Sequence, residues 1–251
     1  MTDITNILNQ FTPISLEEMD AVKLLDRMDR KYIFHTDRLE AILLNLKENY
    51  RILEVKGLKC SRYETRYYDT PGFEMYVQHH NGKLNRHKVR FREYLDSGIG
   101  FFEVKFKSNK GRTIKDRVKL RTDNRTIDGE TEFLLRKKTR YNASMLQEAI
   151  QVNYSRITLV HNEFRERLTL DLDLTYNFRG NLASFPTLVI AEIKQARSAG
   201  SPFCILMQDN FIPTLSLSKY CFGIASLNPD VKKNNLKPKL HNVQKLCFGN
   251  A

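Results

Sequence analysis

His87-Lys88-Val89-Arg90-Phe91-Arg92-Glu93-Tyr94 alternates with a period of two. In an extended chain, successive side chains point to opposite faces, so Lys88, Arg90, Arg92 and Tyr94 share one side. His87, Val89, Phe91 and Glu93 share the other. The period identifies a strand, and one face of that strand is strongly cationic.

The pattern repeats along the chain. Residues 101 to 107 set Glu103, Lys105 and Lys107 against Phe102, Val104 and Phe106. Residues 113 to 121 set Lys115, Arg117, Lys119 and Arg121 against Ile114, Val118 and Leu120. Residues 165 to 174 set Arg165, Arg167, Thr169, Asp171 and Asp173 against Leu168, Leu170, Leu172 and Leu174, and residues 189 to 194 set Glu192 and Lys194 against Val189, Ala191 and Ile193. Turn-forming stretches such as Asn81-Gly82 and Asn109-Lys110-Gly111 separate such runs, so the strands are expected to be antiparallel.

A solvated sheet face accounts for most alternating charged strands, but such faces mix their signs, because like charges directly opposite one another destabilise a sheet. Here cations dominate four or five strand faces and carboxylates come singly. The expected fold is α+β, and if such an antiparallel sheet closes into a β-barrel tunnel with flanking helices on its apolar outside, the interior is cationic. Inside it, a like-charged pair at about 4 Å would cost about 4 kcal/mol at an effective dielectric near 20, which a bound polyanion would offset. A linear chain of phosphates suits that lumen, since every unit offers oxygens to Arg forks and Lys point charges, whereas a duplex would need an open groove.

The flanks read as helices. Residues 15 to 28 and 36 to 50 open with capping-box spacing at Ser15/Glu18 and Asp37/Glu40, and Leu39, Ile42, Leu43 and Leu46 repeat on one face. Residues 129 to 152 continue the helical pattern, and Ser201-Pro202 opens another helix. The division expected is one domain over residues 1–226 and a basic, Asn-rich tail over 227–251, whose composition suits disorder. His79-His80, before Asn81-Gly82, reads as a turn or exposed loop, and Arg136-Lys137-Lys138-Thr139-Arg140 as a solvated helix face.

The bulk properties agree with an anionic partner. In 251 residues, Lys plus Arg outnumber Asp plus Glu by 41 to 29, a formal charge of +12. No apolar run approaches the ~18 residues that cross a bilayer, and no secretory leader opens the chain, so a cytoplasmic location is expected. The four cysteines are widely spaced, which signals neither a zinc cage nor a disulfide framework.

A resemblance joins these pieces. Arg30-Lys31-Tyr32-Ile33-Phe34-His35, Tyr67-Tyr68-Asp69-Thr70, Val89-Arg90-Phe91-Arg92-Glu93-Tyr94 and Phe102-Glu103-Val104-Lys105 follow one another in order. So do Lys115-Asp116-Arg117, Tyr154-Ser155-Arg156, Arg167-Leu168-Thr169-Leu170-Asp171, Ala191-Glu192-Ile193-Lys194 and Leu217-Ser218-Lys219-Tyr220-Cys221-Phe222-Gly223. Over roughly residues 20 to 226 the chain resembles the catalytic domain of the vacuolar transporter chaperone family, polyphosphate polymerases among the triphosphate tunnel metalloenzymes.

The resemblance implies that Lys31, Arg90, Arg92, Lys115, Arg117, Tyr154, Arg156 and Arg167 bind phosphates. It implies that Lys105, Ser218 and Lys219 act on the reacting phosphate, and that Glu192 holds Mn²⁺ or Mg²⁺. The implied partners are ATP and inorganic polyphosphate or pyrophosphate, with no nucleic acid. The transmembrane helices and regulatory domain of the eukaryotic counterparts are absent from this sequence, so a membrane-protein partner is left open. One departure matters: where tunnel hydrolases resemble Glu-x-Glu-x-Lys, this chain has Arg27-Met28-Asp29-Arg30-Lys31. One carboxylate fewer favours the polymerase branch, with a triphosphate hydrolase or a polyphosphate-binding module as the alternatives.

Overall fold

The alternating segments become strands of one sheet. In the computed structural model, which describes residues 4–21, 27–120, 125–163, 166–196 and 200–249, these are β1 (Pro13–Ile14), β2 (Arg27–His35), β3 (Tyr50–Leu53), β4 (Cys60–Asp69), β5 (Arg86–Tyr94), β6 (Ile99–Lys107), β7 (Thr113–Lys119), β8 (Gln147–His161), β9 (Glu166–Phe178), β10 (Asn181–Phe185) and β11 (Leu188–Ala196). The helices are α1 (Thr5–Leu8), α2 (Leu16–Ala21), α3 (Leu39–Leu46), α4 (Glu74–His80), α5 (Gly129–Lys138), α6 (Pro202–Asp209), α7 (Lys219–Leu227) and α8 (Lys237–Phe248).

The spatial order is β2-β11-β9-β8-β4-β5-β6-β7, with β10 beside β9 and β3 beside β8. All of these pairs are antiparallel, and only the short β1 runs parallel to its neighbour β3. The expected hydrogen-bonded closure is not made among the described residues: β2 and β7 stand at opposite ends of the path. The outer edge of β2 is taken instead, since Tyr32 bridges to Thr214 and the Leu215 amide donates to the Lys31 carbonyl at 2.8 Å.

Helices cover the apolar face, as its hydrophobicity requires. Tyr32, Phe34, Leu168, Leu170 and Ile193 pack with Leu39, Leu43 and Leu46 of α3 and with Phe203 and Met207 of α6. Further along, Val89, Phe91, Phe102 and Val104 pack with Leu135 of α5 and Tyr141. Leu43 is fully buried, and burial of such a side chain stabilises by about 1.5–3 kcal/mol.

α7 lies on the other side, packed with Tyr63, Tyr67, Ile150, Val152, Tyr154 and Tyr176. Its approach depends on Gly223: a Cβ there would stand 2.4 Å from the Tyr176 ring and 2.8 Å from Ile150 Cδ1. The Ser218 hydroxyl caps the helix by accepting from the Cys221 amide at 3.3 Å.

The structure shortens several expected elements. Residues 27 and 28 open a strand instead of ending a helix, and the helix over 36–50 is a 3-10 turn followed by α3. Residues 147–152 belong to β8: Asn142 caps a 3-10 turn through the Met145 amide, and the period-two pattern of Ile150, Val152 and Tyr154 builds a strand that begins at Gln147. α4 interrupts the strand-rich middle, and it ends on His79-His80, so these are helical and His80 is buried. The basic stretch after 227 is folded, with α8 docked through the buried Val243.

β9 corrects the alternation. Asp173 has a φ of 52° and is exposed, and the register against β8 shifts there. Such a bulge reverses the phase of the strand. Leu168, Leu170 and Leu172 therefore pack on the α3 and α6 side, but Leu174 and Tyr176 pack with α7. Arg121 and Arg165 lie outside the described residues, as does the side chain of Arg27.

Candidate functional site

Strand register gathers the charged residues on one face. Lys88, Lys105 and Lys115 stand side by side across β5, β6 and β7, as do Arg90, Glu103 and Arg117. Ser61, Arg156 and Asp171 align across β4, β8 and β9, and Thr169, Glu192 and Lys31 across β9, β11 and β2. The face turned from α3, α5 and α6 therefore carries charged residues from β2 to β7, interrupted where Ile150, Val152 and Tyr176 pack with α7.

Three carboxylates organise it, each holding two cations. Glu103 accepts from Arg90 Nε at 2.6 Å and is ion-paired with Lys115. Asp171 accepts from Arg156 Nε at 2.5 Å and Nη2 at 2.8 Å, and is also ion-paired with Lys219. Glu192 sits 3.0 Å from Lys31 Nζ and is paired with Lys194 as well. Each carboxylate thus leaves its group with a surplus positive charge.

Burial would raise all three carboxyls, but the paired cations outweigh it. Glu103 and Glu192 are held well below the usual carboxylate range, and Asp171 is drawn down to about 2. All three are therefore ionised at neutral pH. Lys105 has a different environment: Arg90, then burial, then Arg92 drive its amine well below the usual lysine range.

Aromatic rings fill the space between the groups. The guanidinium of Arg92 lies 5.6 Å from the Tyr63 ring and 6.0 Å from that of Tyr154, and Arg156 lies 5.1 and 5.3 Å from the same two rings. Lys219 Nζ is 4.8 Å from the Tyr154 ring. These contacts hold cations over ring faces without neutralising them. The Tyr154 hydroxyl is buried and has no hydrogen-bond partner among the described residues, which leaves it able to bond to water or to a ligand oxygen.

α7 delivers its first residues to the centre of this face. Ser218 Oγ accepts from Lys88 Nζ of β5 at 2.8 Å, and the adjacent Lys219 reaches Asp171 of β9. Tyr220 donates to Asp69, whose buried carboxylate also accepts from the amides of Met75 and Tyr76 at 2.9 Å each. Asp69 thereby fastens the start of α7 to the start of α4.

The expected residues do not all converge. Lys31, Arg90, Arg92, Lys105, Lys115, Tyr154, Arg156, Glu192, Ser218 and Lys219 share the polar face. Arg117 is exposed on the edge strand β7, its guanidinium 4.5 Å from the Phe101 ring. Arg167 shares the face but donates to the Met19 carbonyl at 3.1 Å. Sequence reasoning did not assign site roles to Glu103, Asp171, Lys88 or Tyr67. The first three carried a usable signal, as members of the cationic strand faces.

A divalent ion would have one carboxylate, Glu192, on which to sit, and no group of three or more His, Cys, Asp or Glu suited to a metal occurs among the described residues. Glu192 is ion-paired with Lys31 and Lys194, so an ion such as Mg²⁺, which binds through one or two carboxylates together with substrate phosphates and water, would have to displace these amines towards the substrate phosphates.

Comparison with known proteins places the fold. The model of the VTC domain matches residues 26–228. No curated protein sequence matches the chain. A candidate adenylate cyclase from Bacillus halodurans is 15% identical, with a TM-score of 0.52 over 77% of this chain and 94% of that one. A candidate adenylyl cyclase from Hippeastrum, described as having a dominant triphosphatase activity, is 13% identical, with a TM-score of 0.52 over 81% of this chain and 98% of that one.

Proposed function

The chain belongs to the VTC domain family, and from that premise we propose that it transfers the terminal phosphoryl group of ATP to a growing inorganic polyphosphate chain. The observation that carries this reading is the doubled pairing on the polar face. Glu103, Asp171 and Glu192 each serve two cations, and Arg92 lies on the same face with no ion pair to a carboxylate among the described residues. A face with that surplus suits a ligand that carries negative oxygens along its whole length.

In this reading the polar face, with α7 lying against it, is the tunnel that encloses the phosphates. Arg90, Arg92 and Arg156 bind equatorial oxygens through their fixed N–H forks, and Lys31, Lys115 and Lys219 supply point charges. Lys105 and the Ser218–Lys219 start of α7 align the reacting unit. Arg117 and Arg167 bind phosphates further out on the face. The Tyr154 hydroxyl donates to a phosphate oxygen and Lys105 takes up a proton as the anion arrives.

Phosphoryl transfer needs alignment and neutralisation more than a protein nucleophile, and an in-line acceptor phosphate between such groups meets both needs. A Mn²⁺ or Mg²⁺ ion at Glu192, shared with substrate oxygens, would neutralise charge on the transferring group. With ATP as donor, the reaction is assigned to the cytoplasm.

The test is incubation with ATP and Mn²⁺ or Mg²⁺, with and without pyrophosphate, resolving products by gel and phosphorus NMR beside a Glu192→Ala control. Long phosphate chains that are lost in the variant support polymerisation. Orthophosphate alone would assign the protein as a triphosphate hydrolase, and binding without turnover as a polyphosphate-binding module.

A further inference from the structure

The polar face continues past the residues assigned to the reaction. Arg86 opens β5 two positions before Lys88, on the same side, and Lys107 of β6 stands opposite it in register. The acceptors here are neutral. Arg86 donates to His79 Nδ1 at 3.1 Å and to the Lys83 carbonyl at 2.6 Å, Lys88 donates to Ser218 Oγ at 2.8 Å, and Lys107 donates to the Gly111 carbonyl. Cations that were doubled up on carboxylates at the centre are here held by dipoles, with their charge intact.

The C-terminal segment adds to the same region. Asn235 fastens it to α4 by donating its amide to His80 Nε2 at 3.1 Å and its side chain to the His80 carbonyl at 3.0 Å, while Tyr76 donates to the Lys232 carbonyl at 2.9 Å. α8 carries Lys237, Lys239 and Lys245 and no acidic residue. Burial first, and then Lys88, Arg86 and Lys239, push the His79 imidazole down to about 2. β5 thus places Arg86 on His79 of α4, and the segment leading into α8, with Lys237 and Lys239, is fastened to the adjoining His80 through Asn235.

We infer that Arg86, Lys107 and Lys239 extend the polar face into a track that holds linear polyphosphate beyond the reacting units. The inference rests on the reading given under Proposed function. A polyphosphate chain repeats the same charge at every unit, so a ligand of this kind is held equally well at every register. Point charges without carboxylate clamps suit such a ligand, because each step along the track exchanges one like contact for another.

The test compares binding of tripolyphosphate with binding of long-chain polyphosphate by titration calorimetry at about 0.1 M salt, where interactions along an exposed track still operate. For the double variant Lys237→Ala/Lys239→Ala, long-chain binding is expected to weaken about tenfold, or about 1.4 kcal/mol, with tripolyphosphate binding unchanged. Lys107→Gln, on a different element, should show the same split, which a mere loosening of α8 would not produce. Equal losses for both ligands, or no loss for either, would overturn the track. So would single-stranded DNA that binds the native protein as tightly as long-chain polyphosphate. A protein that binds both phosphates but makes no chains would instead overturn the polymerase reading, while the split between long and short ligands still decides the track.

Discussion

Lys219, the first residue of α7, is ion-paired with Asp171 in the middle of β9. The pair fixes where the helix begins relative to the sheet. Since Asp171 also binds Arg156 in a fork, one buried carboxylate sets the positions of two cations from different elements.

Asp171→Asn keeps the side-chain shape and removes the charge from a residue that is 1% exposed. Two cations are then left without their counter-ion, and losing one member of a buried pair costs about 3–5 kcal/mol. Urea unfolding should show a loss of that order. Added tripolyphosphate should stabilise the variant more than the native protein, because the anion replaces the missing charge.

The pH dependence of stability should have two opposed contributions. The Asp171 carboxyl is depressed to about 2, so its stabilising effect is complete above its unfolded value near 4 and is lost as pH falls from about 4 to about 2. Glu166 is the reverse: burial raises its carboxyl to about 7, and one of its oxygens is buried without a partner. Its effect is least harmful below about 4.5 and grows more destabilising until pH passes 7. Glu166→Gln should therefore raise stability at pH 8 by about 2–3 kcal/mol and change nothing at pH 4, as urea midpoints at the two pH values would show.

Binding of tripolyphosphate should take up a proton. Arg90 and Arg92 oppose the charge on Lys105, and an arriving polyanion removes that opposition. Calorimetry in buffers of different ionisation enthalpy, repeated across the pH range in which Lys105 titrates, should report net uptake, and Lys105→Met should abolish it. Affinity should also fall as pH rises. Identical heats in all buffers would contradict this account.

Gly223→Ala forces a methyl group into the Tyr176 ring. Overpacking of this kind costs about 1–3 kcal/mol, and relief requires α7 to move off β8 and β9. Turnover should drop more than stability alone explains, because the Ser218–Lys219 start moves with the helix. A variant with native turnover would show that the position of α7 is not critical.

Much of the sheet was legible because a period-two pattern reports which side of a strand is buried, as it does for Val89, Phe91, Val104 and Ile193. The signal fails where a single residue breaks the phase, as at Asp173, whose positive φ turns Leu174 and Tyr176 to the opposite side. The boundary at residue 147 was hidden for a related reason: Leu146 and Ile150 satisfy helical spacing and strand alternation together. In the site, charge patterning pointed to cations but not to their pairing, which depends on the register between neighbouring strands and on where α7 meets the sheet. That Glu103 would lie between β5 and β7, within reach of Arg90 and Lys115, and Asp171 beside Arg156 follows from that register, and the pairing of Asp171 with Lys219 from where α7 begins.

The edge strand β7 has a second consequence. Its outer backbone is unpaired among the described residues, and an open edge of this kind invites addition of a strand from another molecule. Lys115, Arg117 and Lys119 alternate with Asp116 along it, so two copies approaching edge to edge would bring like charges opposite one another. The residues that favour a polyanion thus also discourage the chain from aggregating with its own copies.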